Sequence, residues 1–427
     1  MLVFIEAGIA GTGLSALAWA VDNGLDVGLV STAPEQYADV PAGDLLPGLS
    51  ERGRVFRSAD TDTQALDAGL VDWVRASGTP HGVVCIGDRH LPYAAALAEE
   101  LGVPFHPAHA IAVLRDKRVA REHYEALDIR SPRWSPADDV NDALALLDAV
   151  DGPIVLKNVK GSGSLDVLLC RTPAEVREHH ATLADRQRYL GGDLMAEQFV
   201  TGPLYSIETV VDHGRAVTLG ITDRQLGPRP HFCEVSYTFP AAVPGADADE
   251  MVGAVEACAK HFGLTHGFLH SEFVLTAEGP VLVEVNARLG GGLLALMMND
   301  CLTVSCWELL CRGALGERLP DVAHNGLYAS TVTVYPAESG VVATLPDRDA
   351  AGRSPFVTDV VWNAGPGDEV YPPRDHRGAV CQIRARAGSA SLAYNAALAA
   401  ARDVRVTLTS RLVTTAGTGG APIAMGE

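Results

Sequence analysis

The sequence lacks closely spaced cysteine pairs, an excess of positive charge and long uncharged apolar runs. None of its eight cysteines forms a CxxC pair, which speaks against a structural zinc site and a disulfide scaffold and for a reducing compartment. There are 53 acidic and 33 basic residues, for a formal charge of -20. A duplex-binding protein needs a basic footprint, so nucleic acid is not an expected partner. No segment is long enough and free enough of charge to cross a bilayer, so no membrane association is expected. The opening MLVFIEAGIAGTGLSALAWA has no basic leader and carries Glu6, so it reads as strand, turn and helix rather than as a signal peptide. Internal repeats, low-complexity tracts and MKM-type biotin-attachment text are absent as well. These absences point to a cytoplasmic globular protein acting on small molecules, and a homodimer is compatible with them.

What is present is enough sequence for several cores. The chain has 427 residues, 47% of them apolar, which implies two or three packed domains. The front of the chain alternates in the α/β manner, with strands over 2–7, 27–31, 83–86 and 103–105, a helix over 14–23, and a helix in GDRHLPYAAALAEELG closed by Gly102. HPAHAIAVL reads as a linker before a helix over 115–127, and SPRWSP as a break. A helix over 141–150, a strand over 153–157, the loop KGSGS, a strand over 166–170 and a helix over 173–183 follow. From Leu194 the sequence is strand-rich, with a helix over 251–262, and LGGG then opens one long apolar helix running through Cys311. The end reads as a separate α+β unit, with strands over 328–335, 359–363 and 380–385, a helix over 391–401, and a small, polar, mobile tail, TTAGTGGAPIAMGE.

The chemistry concentrates in HSEFVLTAEGPVLVEVNARLGGG. Glu284 and Asn286 are two apart on a strand and so share a face. Phe273, Leu275, Val281, Val283 and Val285 are all apolar and odd-numbered. If they pack together, the hairpin loop has an odd length. A three-residue loop, Glu278-Gly279-Pro280, then sets Glu272 across from Asn286. Two carboxylates and an amide oxygen on one spot repel unless a cation joins them, and an all-oxygen set suits Mg²⁺. Lys157 ends the strand PIVLK beside KGSGS, which fits a loop closing over phosphates, and Lys117 is a second candidate phosphate cation. Arg224, His231, Glu234 and Tyr237 lie in a segment able to line a substrate pocket, where Glu234 suits an ammonium and an arginine a carboxylate; His270 flanks them.

Taken in order, Lys117, PIVLK–GSGS, AEQFV–GPLYSIE and HSEF…VEVNARLGGG resemble the ATP-grasp superfamily. Within it, EVNARLGGG, GITDR…HFCEVSYTFPA and the C-terminal unit are most similar to L-amino-acid ligases, which join a carboxylate to an amine. The resemblance implies an α/β and α+β fold in four parts. These are a Rossmann-like domain over 1–112, a small ATP-grasp subdomain over 113–193, a large subdomain over 194–325 and a C-terminal α+β domain over 326–427. It implies ATP and one or two Mg²⁺ as cofactors, with Mn²⁺ able to substitute. Lys117 and Lys157 would bind phosphates, Ser162, Gly163 and Ser164 would cover them, and Glu197, Phe199 and Val200 would surround the adenine. Glu272, Glu284 and Asn286 would hold the metal, and Arg288 would contact the transferred phosphate. The sequence departs from the family pattern at Leu204, where an acid for the ribose hydroxyls is expected; Glu208 is the available substitute.

Three rival readings differ in class. Gly8, Gly11 and Gly13 follow the first strand as GxxGxG, not GxGxxG, and LVSTA offers no acid to a ribose 2′-hydroxyl, which argues against an NAD-dependent oxidoreductase. A carboxylase-type ATP-grasp enzyme would change only the acceptor. A nucleotide-binding regulator with a decayed site is opposed by the intact Lys and Glu/Asn set.

Overall fold

The computed structural model describes residues 1–8, 12–37, 45–78, 81–190, 193–346 and 348–409. Gly11 of the glycine-rich turn and the tail from Thr414 onward lie outside the described residues.

The front unit is a parallel sheet. Strands β1 (Leu2–Ile5), β2 (Val27–Ser31), β3 (Val55–Arg57) and β4 (Gly82–Cys85) lie in the order β3-β2-β1-β4. Every residue of β1, β2 and β4 is buried, as expected for parallel strands covered on both faces. The covering helices are α1 (Thr12–Asp22), α2 (Leu45–Glu51), α3 (Leu70–Arg75) and α4 (Leu91–Leu101). Gly13 permits the close approach of α1 to β1, since a Cβ there would meet the Ala7 carbonyl oxygen at 2.1 Å.

The expected strand over 103–105 does not form, and the stretch read as a linker is instead α5 (Ala108–Arg115), whose N-cap is Pro107. A new helix, α6 (Lys117–Ala126), starts at once because the Asp116 carboxylate accepts the N–H groups of Arg118 and Val119. The small subdomain follows as β5 (Trp134–Pro136), α7 (Val140–Ala149), β6 (Ile154–Asn158), β7 (Val167–Cys170), α8 (Pro173–Leu190) and β8 (Leu194–Gln198), with the sheet order β5-β8-β6-β7.

The remaining strands are β9 (Leu204–Asp212), β10 (Arg215–Leu226), β11 (Glu234–Phe239), β12 (His266–Thr276), β13 (Gly279–Asn286), β14 (Tyr328–Val334), β15 (Gly340–Thr344), β16 (Val357–Trp362), β17 (Glu369–Val370), β18 (Cys381–Ala387) and β19 (Thr407–Thr409). The helices among them are α9 (Gly245–His261), α10 (Leu294–Cys301), α11 (Cys306–Ala314), α12 (Arg348–Gly352) and α13 (Ala390–Asp403). One eight-stranded sheet runs β13-β12-β9-β10-β11-β14-β18-β16. The C-terminal unit is therefore continuous with the large subdomain through the β11–β14 pairing, not a separate layer. The single long helix expected after LGGG is broken between α10 and α11, where Ser305 caps α11 by accepting the Trp307 N–H. Among the described residues no helix is long and apolar enough to cross a membrane.

Candidate active site

The front sheet, the small subdomain, the eight-stranded sheet and the C-terminal strands enclose one cleft of about 830 Å³. Its floor is the β12–β13 hairpin. The expected pairing of Glu272 with Asn286 is corrected by the register: Glu272 faces Glu284, and His270 faces Asn286. The loop is not of odd length. Thr276 pairs with Gly279, and the odd residue enters instead where the register shifts between Glu272 and Phe273, a β-bulge at Val283. The apolar face changes accordingly. Phe273 pairs with Leu282, and both are buried, whereas Val281 pairs with Val274 and Val283 lines the cleft.

On one side of the Glu272–Glu284 pair lies a cluster richer in cations. Lys117 Nζ donates to the Gly161 carbonyl at 2.5 Å and stands 3.4 Å from Glu284 Oε2. Lys157 Nζ lies 2.5 Å from Glu197 Oε2, and Arg121 Nη2 lies 2.6 Å from Glu197 Oε1. Lys157, Arg121 and Glu197 are all buried. Burial lowers the Lys157 ammonium, with Glu197 opposing. Burial alone would raise Glu197, but Arg121 and Lys157 outweigh it and hold the carboxyl below its ordinary value. The same contest at Glu284 is won by Lys117, the Asn286 hydrogen bond and Lys157, so it stays ionised. Asn286 Nδ2 donates to Glu284 Oε1 at 2.9 Å.

On the other side lies a cluster richer in carboxylates. Arg224 pairs with Glu234 and, at 3.0 Å, with Glu272. His270 Nδ1 donates to Glu208 at 2.9 Å, and His270 Nε2 lies 3.2 Å from Glu272 Oε1. Burial opposes charge on His270, yet Glu208 pushes it up to about 9. Arg224 Nη1 also stands 2.6 Å from Nε2, a contact that a charged ring opposes. Three carboxylates surround these two cations, and that excess favours the charged ring.

The expected site residues thus divide. Lys117, Lys157, Glu272, Glu284, Arg224, Glu234, His270 and Arg288 all line the cleft, as do Ser162, Gly163, Ser164, Phe199 and Val200. Tyr237 also lines it, and its hydroxyl accepts the Leu293 N–H at 2.9 Å. Glu197, expected beside adenine, turns its carboxylate to Lys157 and Arg121. Glu208 is buried and accepts Ser206 Oγ at 2.7 Å, so it does not reach out to a ribose. Arg288 Nη2 is held 2.6 Å from Asp88 Oδ2, in the turn after β4, and Nη1 donates to the Leu289 carbonyl at 2.9 Å. Sequence reasoning missed Asp88, Arg121 and His376. Arg121 is four residues after Lys117 on one helix and so shares its face. His376 lines the cleft opposite the covering loop, 3.6 Å from where a Cβ on Gly163 would sit.

Among the described residues no group of three or more His, Cys, Asp or Glu side chains converges as a metal cage. The cross-strand carboxylates Glu272 and Glu284 fit a hard cation that takes its remaining ligands from water and substrate phosphates, whereas Asn286, expected as a third ligand, does not line the cleft and gives its amide N–H to Glu284.

Residues 150–295 match the family model for the ATP-grasp domain, and residues 332–409 match L-amino acid ligase C-terminal domain 2. The Sinorhizobium fredii protein y4rH is 28% identical over 345 residues, covering 78% of this chain and 70% of that protein. Carnosine synthase 1 of Mus musculus is 26% identical over 297 residues, covering 64% of this chain but only 34% of its own length. The crystal structure of an L-amino acid ligase from Bacillus licheniformis superposes with a TM-score of 0.76 at 21% identity, covering 96% of this chain and 98% of that one. The chain therefore contains an ATP-grasp domain over residues 150–295 and an L-amino acid ligase C-terminal domain 2 over residues 332–409.

Proposed function

We propose that the protein is an ATP- and Mg²⁺-dependent carboxylate–amine ligase that uses an amino acid as one substrate and releases ADP and phosphate. One observation carries this reading. A cross-strand carboxylate pair separates a cluster with three cations and two carboxylates from one with two cations and three carboxylates. The first suits polyphosphate and the second an ammonium group. Small-molecule acids and amines are therefore the partners, and nucleic acid is not.

A carboxylate does not acylate an amine in water, because oxide is a poor leaving group and the amine is protonated. Here a carboxylate oxygen of the acid attacks the γ-phosphorus while the bond to ADP breaks. Lys117 and Lys157 offset charge on the phosphates, and Arg288 reaches the transferred group. Mg²⁺ bound by Glu272 and Glu284, or Mn²⁺ in its place, would neutralise phosphate oxygens. The substrate ammonium gives up one proton to become the nucleophile, its nitrogen attacks the acyl carbon, phosphate leaves, and the second amine proton departs with the phosphate. The loop at Ser162–Gly163–Ser164, closing toward His376, keeps water from the acyl phosphate. Arg224 and Glu234, paired with each other at the pocket end, exchange partners for the carboxylate and ammonium of an amino acid.

The test is a matrix of amino acids and other amines with Mg-ATP, read by phosphate release and product mass. ADP formation that requires an acid and an amine together supports the reading. A complete absence of ADP across the matrix sinks it.

A further inference from the structure

The cleft floor changes character within one pleat of the metal row. Glu272 on β12, Ser206 on β9 and Thr222 on β10 are cross-strand partners, with Glu284 continuing the row on β13. Two residues along the strands, about 7 Å away, the next row on that face is Val281, Val274, Leu204 and Arg224. It lies toward the segment that carries Phe199 and Val200 into the start of β9. That segment crosses the end of β12 closely, since the Leu275 N–H donates to the Pro203 carbonyl and a Cβ on Gly202 would strike the Leu275 oxygen at 2.1 Å.

A nucleotide with its phosphates at Lys117, Lys157 and the Glu272–Glu284 pair, and its base at Phe199 and Val200, lays its sugar over Val274 and Leu204. Leu226 also lines this part of the cleft. The polar end of the row, Arg224, is already engaged by Glu234 and Glu272. The nearby acids are turned elsewhere: Glu208 is buried under His270, and Glu197 is held by Lys157 and Arg121. Among the described residues of this row, none offers a carboxylate to the sugar hydroxyls.

A site built to hydrogen-bond a hydroxyl rejects the analogue lacking it, because a buried polar group is left unpaired. The apolar part of the row, Val274 and Leu204, leaves nothing unpaired when the hydroxyl is absent. We propose that this protein does not discriminate ribose from 2′-deoxyribose, so that 2′-deoxy-ATP serves it about as well as ATP, with Leu204 as the residue that sets this tolerance. The proposal rests on the ATP-binding reading above.

The experiment is calorimetric titration of the full chain with Mg-ATP and with Mg-2′-deoxy-ATP, followed by kcat/KM for each nucleotide on any active substrate pair. The expected ratio is within about threefold, less than the loss of one ordinary hydrogen bond allows at its upper end. A preference for ATP above about tenfold overturns the proposal, because it requires a dedicated hydroxyl contact. Failure of both nucleotides to bind overturns the ATP-site reading itself, and this proposal with it. Leu204→Asp, on a partly exposed strand start, supplies a charged acceptor. It is expected to shift selectivity about 10- to 100-fold toward ATP. An unchanged ratio in a folded Leu204→Asp protein would show that the sugar does not lie on this row.

Discussion

The two ends of the cleft both pair basic side chains with glutamates but carry opposite residual charge. On the Lys157 side, Lys117, Arg121 and Lys157 meet Glu197 and Glu284. On the Arg224 side, Arg224 and charged His270 meet Glu208, Glu234 and Glu272. Each end is nearly neutral, which limits the cost of holding ionised groups in a poorly solvated place. Each nevertheless lacks one charge of the sign its expected ligand brings. The difference also lies in depth: Glu197 is buried beneath the cations, whereas Glu234 remains partly open to the pocket.

That difference can be broken first at Glu197. Glu197→Gln leaves Arg121 and Lys157 buried against each other and should cost about 3–5 kcal/mol of stability, measured by chemical denaturation. The pH dependence has a definite sign. The Glu197 carboxyl is held below its ordinary value by Arg121 and Lys157. Its contribution is therefore complete above the ordinary carboxylate range and is lost as pH falls through the depressed folded value. The variant should show a flatter acid limb. A wild-type midpoint across this range would mean that the cluster does not hold the fold together.

Glu284→Gln tests the boundary between the two ends. It keeps the shape but removes a charge from the proposed metal site, and turnover should drop by about 10²- to 10³-fold with circular dichroism unchanged. Undiminished kcat would remove Glu284 from the site. Glu234→Gln sharpens the other end. The KM for one organic substrate should rise about 10- to 100-fold, as for loss of a charged hydrogen bond, while the KM for ATP stays put. A rise in the ATP KM alone would reverse the assignment of the two ends.

Much of this was readable in the sequence where periodicity carries information. Glu272 and Glu284 fall on one face because strand side chains alternate, and the apolar runs of β1, β2 and β6 announce buried strands. The loop length was not readable, because the bulge at Val283 supplies the odd residue and a bulge changes no composition. Pro107 before α5 was a start signal hidden in a stretch read as linker. The break between α10 and α11 is marked by Ser305, a cap inside a run that looked continuously helical. Glu197 looked like an adenine neighbour because its strand is the right one, but Arg121, on another element, fixes where its carboxylate points. Residues brought together from distant parts of the chain leave no local pattern, and the pairing of Asp88 with Arg288 is the clearest instance.

That pairing gives the smallest expected effect and joins neither end. Asp88 is on the front unit, whereas Arg288 follows the β12–β13 hairpin. The guanidinium donates once to Asp88 and once to the Leu289 carbonyl. An arginine has five N–H groups, so its remaining donors are available to a phosphate without breaking either contact. In the proposed site, Asp88 would orient the group rather than compete for it. Asp88→Asn keeps a hydrogen-bond acceptor but loses the charge, and kcat should fall about tenfold, in line with loss of about 1.4 kcal/mol of orientation, with the ATP KM unchanged. Asp88→Glu should recover part of the loss. If Asp88→Asn instead lowers thermal stability and leaves kcat intact, the contact only fastens the front unit to the sheet. The opposite residual charges of the two clusters would then suffice to account for the chemistry without it.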